Sequence, residues 1–218
     1  MAETYRFALV GNPNVGKSSL FNALTGLHQH TGNWPGKTVA TAAGTCSIDG
    51  ATVELIDLPG TYSLSARSPE EEVAAEYISF GCADAVIVVC DATALERNLY
   101  LALQVMEITD HVVICVNLMD EAGKRGITVD LPRLSQLLGV RVVGTSARQK
   151  KTLPPLLRAA VAAAQERHRK PVPVRYGDAI EAGLFSIEAR LDELLPGSMP
   201  NHRWIASQLL TGGDTAIC

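Results

Sequence analysis

Residues Gly11-Asn12-Pro13-Asn14-Val15-Gly16-Lys17-Ser18 spell G-x-x-x-x-G-K-[ST], the spacing of a loop whose backbone N–H groups wrap phosphates. The loop follows the apolar run Tyr5–Val10 and precedes the helical pattern Ser18–Leu24. A strand therefore delivers it, and a helix adds its positive N-terminal end. Lys17 is spaced to reach the β- and γ-phosphates, and Ser18 to place a hydroxyl on Mg²⁺. A glycine-rich turn with a capping serine shares the spelling but does not require the strand and helix around it.

Three further motifs narrow the chemistry. Asp57-Leu58-Pro59-Gly60 follows the apolar run Val53–Ile56. Asp57 can hold Mg²⁺ through water there, and the Gly60 N–H can meet a γ-phosphate. The tetrapeptide alone also describes an ordinary turn; its place one strand pair beyond the phosphate loop separates the two readings. Asn117-Leu118-Met119-Asp120 follows the run Val112–Val116. A carboxylate at that point accepts from both the ring N–H and the exocyclic amine of guanine, a donor pair adenine lacks. The competing reading is a strand-end asparagine with a helix-capping aspartate. Thr145-Ser146-Ala147 follows the next strand and offers a backbone N–H to the guanine oxygen. Each motif falls at the C-terminal end of a strand pattern, where open α/β sheets bind ligands. Together they point to GTP binding and hydrolysis.

Positioning these loops requires an α/β sheet. Strand-like runs at Tyr5–Val10, Thr41–Ile48, Val53–Ile56, Ala85–Cys90, Val112–Val116 and Arg141–Val143 alternate with helical patterns at Ser18–Leu24, Pro69–Phe80, Asn98–Ile108, Leu131–Leu138 and Leu153–Gln165. The expected sheet has six strands, mostly parallel, with helices on both faces. Asp49-Gly50 reads as a tight hairpin, which makes one strand antiparallel. Leu27–Lys37 has no clear period, and a loop of that length in a compact pattern is usually functional. Pro171 and Pro173 break the preceding helix, and Asp178–Leu195 and His202–Leu210, separated by Pro196-Gly197, read as a small helical appendage. The division is 1–170 for the nucleotide domain and 171–218 for the all-α appendage.

Composition excludes several classes. The 218 residues carry a net charge of −4, and the basic clusters at 148–151 and 167–170 are too small for a nucleic-acid face. The first lies near the expected base site; the second suits a helix C-terminus. No apolar run is long enough to cross a bilayer, and Glu3 and Arg6 interrupt any signal pattern. The five cysteines (Cys46, Cys82, Cys90, Cys115, Cys218) lack C-x-x-C spacing; Cys90 and Cys115 lie in apolar strand runs and read as buried thiols of a reducing cytosol. His28 and His30 have His-x-His spacing, but without a third organised ligand they read as solvated. Trp34 is read either as an exposed anchor for a partner or as packed on the domain.

Gly32-Asn33-Trp34-Pro35-Gly36-Lys37-Thr38-Val39, the run DLPGTYSL from Asp57 to Leu64, and Leu95-Glu96-Arg97-Asn98-Leu99-Tyr100-Leu101 occur together in one family. On these residues the chain resembles the cytosolic G domain of the prokaryotic ferrous-iron transporter B (FeoB), and most of its length is covered. Arg203 to Leu210 resembles part of that family's helical GDP-dissociation-inhibitor domain, which in the family continues further before the membrane.

The resemblance implies a Ras-like fold, GTP or GDP with Mg²⁺ and K⁺ as cofactors, and a membrane transport domain of the same parent chain as partner, at the cytoplasmic face of the inner membrane. Small accessory iron-transport proteins and a homo-oligomer are further implied partners. Thr38 is the implied switch threonine, joining Mg²⁺ and the γ-phosphate, with Gly36, Lys37, Val39 and Ala40 around it; Thr31 and Thr41 are nearby rivals. Asn14 matches the asparagine that helps hold a monovalent cation in potassium-activated GTPases, and turn chemistry after Pro13 is the competing reading. Thr61 stands where Ras-like proteins place a water-orienting glutamine, and its hydroxyl is too short for that role. Glu70, Glu71 and Glu72 are candidate substitutes, though an acidic first helical turn explains them more simply. Catalysis is then expected to rest on Asn14, Lys17, Thr38 and Gly60 through positioning and charge. Two alternatives stay open: a ribosome-assembly or RNA-modification GTPase, and a nucleotide-gated module with negligible turnover.

Overall fold

The computed structural model describes residues 3–26, 29–34, 37–65, 68–81, 83–166, 170–194 and 202–211. Leu27, His28, Pro35, Gly36, Cys82, Pro196, Gly197, Cys218 and the cluster at 167–169 lie outside the described residues.

Seven strands form one sheet: β1 (Thr4–Gly11), β2 (Gln29–Asn33), β3 (Ala40–Ile48), β4 (Ala51–Asp57), β5 (Ala85–Asp91), β6 (Val112–Asn117) and β7 (Arg141–Gly144), in the order β2-β3-β4-β1-β5-β6-β7. β1 pairs in parallel with β4 and β5, β5 with β6, and β6 with β7. β3 is antiparallel to both its neighbours, so it alone runs against the others, as the hairpin required. Asp49 and Gly50 turn that hairpin with φ of 49° and 85°, the two left-handed residues a twisted two-residue turn needs.

The expectation of six strands is corrected to seven. β2 lies in the stretch that carries no apolar period. It is an edge strand paired to β3 alone, and His30, Gly32 and Asn33 are exposed. Backbone hydrogen bonds rather than burial hold it, so hydropathy does not report it.

Central strands explain the long apolar runs. β6 is buried at every position and β5 at all but its last, as strands covered on both faces must be. Alternate residues serve opposite layers: Val86, Val88 and Cys90 face α2 (Pro69–Phe80) and α3 (Leu95–Ile108), while Ile87 and Val89 face α1 (Lys17–Thr25) and α6 (Leu153–Gln165). Two short helices, α4 (Met119–Lys124) and α5 (Leu131–Leu138), follow β6. α2 starts where Ser68 accepts the Glu71 N–H at 3.2 Å, ahead of Pro69 and three glutamates, a dipole-matched N-terminus.

α7 (Asp178–Leu194) and α8 (His202–Leu210) pack on the α2/α3 side, with Leu184, Leu191, Trp204, Ile205 and Ala206 buried in that layer's core. Arg203 fastens them: it donates to the Val174 carbonyl at 2.7 Å and to Glu181 at 2.8 Å. Tyr176 donates to Glu107 of α3 at 2.8 Å. Burial pushes the Glu107 carboxyl above its ordinary range, and burial with the Glu107 bond raises the Tyr176 phenol to about 12. Among the described residues no helix is long and apolar enough to cross a membrane.

Candidate functional site

The parallel strands end together, and the segments after β1, β4, β6 and β7 meet at that edge. The loop between β1 and α1 is shaped by close approach. A Cβ at Gly11 would lie 2.6 Å from the Val89 carbonyl oxygen, and Gly16, at φ 79°, would place one 2.7 Å from the Asn117 amide nitrogen. Neither position tolerates a side chain. α1 begins at Lys17 with no side-chain cap and no acidic residue in its first turn. Its leading N–H groups are left to an anion.

Inside this loop Lys17, 9% exposed, forms an ion pair with Asp57 and donates to the Leu58 carbonyl at 2.5 Å. Burial pushes the Asp57 carboxyl up, against the pull of Lys17 and a hydrogen bond from Ser18. Asp57 and Ser18 thus stand together as hard oxygen donors, the set that suits Mg²⁺. Asn12 is buried at 3% exposure, with a side-chain oxygen lacking a hydrogen-bond partner among the described residues. Asn14 is exposed and left-handed at φ 68°, a conformation asparagine tolerates well. Pro13 packs against Gly60, where an added Cβ would meet the proline Cα at 3.4 Å. Val15 is buried in the α1/α6 layer.

The base motif is stapled to the phosphate loop. The Asn117 amide donates to the Val15 carbonyl at 3.0 Å and its oxygen accepts from the Thr145 hydroxyl at 3.1 Å. Both residues are fully buried, so one side chain ties three loops. Leu118 sits at φ 60°, a costly left-handed conformation for leucine of the kind found at functional sites. Met119 N–H donates to the Thr145 carbonyl at 3.1 Å, opening α4. Asp120 lies in the first turn of α4, whose cap residue is Leu118, so it is not the helix cap. Its backbone N–H donates to the Ser146 hydroxyl at 3.1 Å, and the bond from that hydroxyl holds the Asp120 carboxyl below the usual range. An ionised acceptor at this point is what guanine's two donors need. Ala147 follows, half-buried.

Thr61 and Thr38 differ in exposure. Thr61 is 3% exposed, its hydroxyl donates to the Ser63 carbonyl at 2.7 Å, and its N–H donates to the Gly11 carbonyl at 3.1 Å. It is turned inward. Thr38 is exposed between Lys37 and the buried Val39, and Ala40 begins β3. Lys37 points its ammonium at Glu72 and Glu76. Trp34 packs on the core edge-on to Tyr77. Gly36 belongs to the undescribed residues.

Sequence reading missed two supports. Gln104 of α3 accepts the Leu64 N–H at 2.8 Å, holding the segment after Gly60. Asn98 accepts the Asp91 N–H at 3.1 Å and donates to the Ala94 carbonyl at 2.8 Å, which accounts for an asparagine within Leu95–Leu101. Leu118 was named with its motif, but its left-handed backbone carried no signal in the sequence. Among the described residues, no group of three or more His, Cys, Asp or Glu could hold a metal ion.

The family model described as "Ferrous iron transport protein B" matches residues 5–160. The Fe(2+) transport protein A/Fe(2+) transporter FeoB fusion protein of Porphyromonas gingivalis is 42% identical over 212 residues, which is 95% of this chain and 25% of that protein. The chain spans about a quarter of the length of the curated relatives it matches. The cytosolic domain of the T. maritima FeoB iron transporter in a GDP form has a TM-score of 0.91 at 38% identity, covering 98% of this chain and 82% of that one. Its GMPPNP form has a TM-score of 0.90 at 39% identity, covering 96% and 82%. The matched stretch contains every loop of the site from Gly11 to Ala147, and the chain belongs to the ferrous iron transport protein B family.

Proposed function

We propose that this chain binds GTP and hydrolyses it to GDP and phosphate, as the cytosolic regulatory part of an Fe²⁺ transporter. One observation carries the reading: Asn117 binds the phosphate loop at Val15 and the Thr145 loop at once, so the phosphate and base sites form one rigid cradle. The T. maritima relatives in GDP and GMPPNP forms support it. Division near residue 170, with a helical unit acting on GDP release, belongs to the same proposal. So do a membrane domain of the parent chain, small accessory proteins and a homo-oligomer as partners.

Each residue has a task. The N–H groups from Gly11 to Ser18 bind phosphate oxygens, and Lys17 neutralises their charge. Asp120 and the Ser146–Ala147 backbone read guanine. Ser18 and Asp57 are the residues that would hold Mg²⁺, with Thr38 as a further oxygen donor in the triphosphate-bound state. Bound there, Mg²⁺ would supply neutralisation of the negative charge that the phosphates carry. The Gly60 N–H faces the γ-phosphate, and water attacks phosphorus as the bond to the β-phosphate oxygen breaks. Thr61 cannot orient that water while its hydroxyl serves Ser63, so rate comes from positioning and charge.

Asn14, with its exposed side chain, would hold K⁺, which would supply the remaining charge term. An arginine finger is worth about 10³–10⁵ in rate in other GTPases, and a bound monovalent cation supplies part of that. Turnover is expected to be slow in sodium and faster in potassium, with the gain absent in Asn14→Ala. Phosphate release from GTP in matched buffers measures it. Equal rates in both salts, or a full potassium response in Asn14→Ala, would return Asn14 to turn chemistry.

A further inference from the structure

The segment carrying Thr38 is tied to α2 by contacts that none of the motif roles require. Lys37 Nζ lies 3.0 Å from a Glu72 carboxylate oxygen and 3.2 Å from one of Glu76. These glutamates are four residues apart, on one face of α2. Trp34 sets its ring at 81° to that of Tyr77, also on α2, with centroids 5.4 Å apart. The Trp34 N–H donates to the Val39 carbonyl at 2.8 Å, and the Lys37 N–H to the Trp34 carbonyl at 3.0 Å. Residues 34 and 37–39 are thereby closed into a loop with Val39 buried and Thr38 facing solvent.

Resting on the guanine-nucleotide reading above, we propose that Lys37 is a positioning residue for Thr38. Its ammonium, shared between Glu72 and Glu76, clamps the first switch onto α2 in the arrangement that leaves Thr38 exposed. α2 follows the Asp57–Gly60 segment, so the clamp joins the two segments that flank the γ-phosphate. It opposes the triphosphate-bound arrangement and leaves diphosphate binding, which needs neither Thr38 nor Gly60, almost untouched. Lys37 is largely covered while both glutamates are about half-exposed, so the clamp is weak enough to open in each cycle.

The test compares affinity for GMPPNP with affinity for GDP by fluorescent-nucleotide titration. Lys37→Met is expected to raise the preference for GMPPNP about threefold, a size two partly exposed ion pairs can supply. The paired change Glu72→Gln with Glu76→Gln should match it, and adding Lys37→Met to that pair should contribute nothing more. Lys37→Arg should keep the wild-type preference, and high salt should shrink the difference between wild type and Lys37→Met. An unchanged preference in Lys37→Met, with GDP still bound, overturns the clamp alone. The same shift in Lys37→Arg also overturns it. Failure of the unmodified chain to bind either nucleotide removes the guanine reading and the clamp with it.

Discussion

Asp120→Asn is expected to lower affinity for GTP and GDP about a hundredfold and to make xanthine nucleotides competitive. The wild-type carboxylate is ionised, held below its usual range by the Ser146 hydroxyl, and accepts from both guanine donors. An amide in its place presents one acceptor and one donor, so one guanine N–H is opposed by another. Hydrogen bonds to charged groups are worth about 1.5–3 kcal/mol each, and losing one of them while the other falls to a neutral acceptor gives about the hundredfold change. Xanthine carries a carbonyl where guanine carries its amine, which the new amide can satisfy. Competition titration with GDP and xanthosine diphosphate measures the exchange. Unchanged preference for GDP would remove Asp120 from the base site.

Lys17→Met is expected to abolish measurable nucleotide binding and to destabilise the fold by about 3 kcal/mol, the scale of breaking a buried ion pair on one side. Lys17 and Asp57 side chains are only 10% and 12% exposed, so the stranded carboxylate has little water to fall back on. The pH dependence has a definite sign. Burial already raises the Asp57 carboxyl, and removing Lys17 raises it further. A carboxyl with a folded-state pKa above its unfolded value binds its proton more tightly when folded. The deficit is therefore full above the folded pKa and fades as pH falls toward the ordinary carboxylate range. Adding Asp57→Asn to Lys17→Met should restore most of the stability and none of the binding. Thermal melts beside nucleotide titrations separate the two. Recovery of binding in the double variant would show that Lys17 acts on Asp57 rather than on phosphate.

Much of this site could be read before the fold was known, for a physical reason. Gly11, Gly16, Lys17, Asp57 and Asp120 stand at or shortly after strand ends, and strands covered on both faces announce themselves as apolar runs. The one reversed strand was legible because Asp49-Gly50 has one conformational use. β2 escaped because an edge strand held by backbone bonds needs no apolar pattern. Inward rotation of Thr61 and the reach of Lys37 to α2 depend on side-chain direction and contacts distant in sequence. Spacing carries neither. Asn117 shows the mixed case: its type and place marked it for the base site, but its bond to the Val15 carbonyl, 102 residues away, follows only from how closely Gly16 lets the two loops approach.

The most direct test of the guanine-nucleotide reading is titration of the unmodified chain with GDP and ADP in the presence of Mg²⁺. The cradle joined by Asn117 and read by Asp120 predicts saturable GDP binding with ADP at least a hundredfold weaker, the scale of two unmet charged hydrogen bonds. Equal affinity for the two nucleotides, or no binding of either, would contradict it.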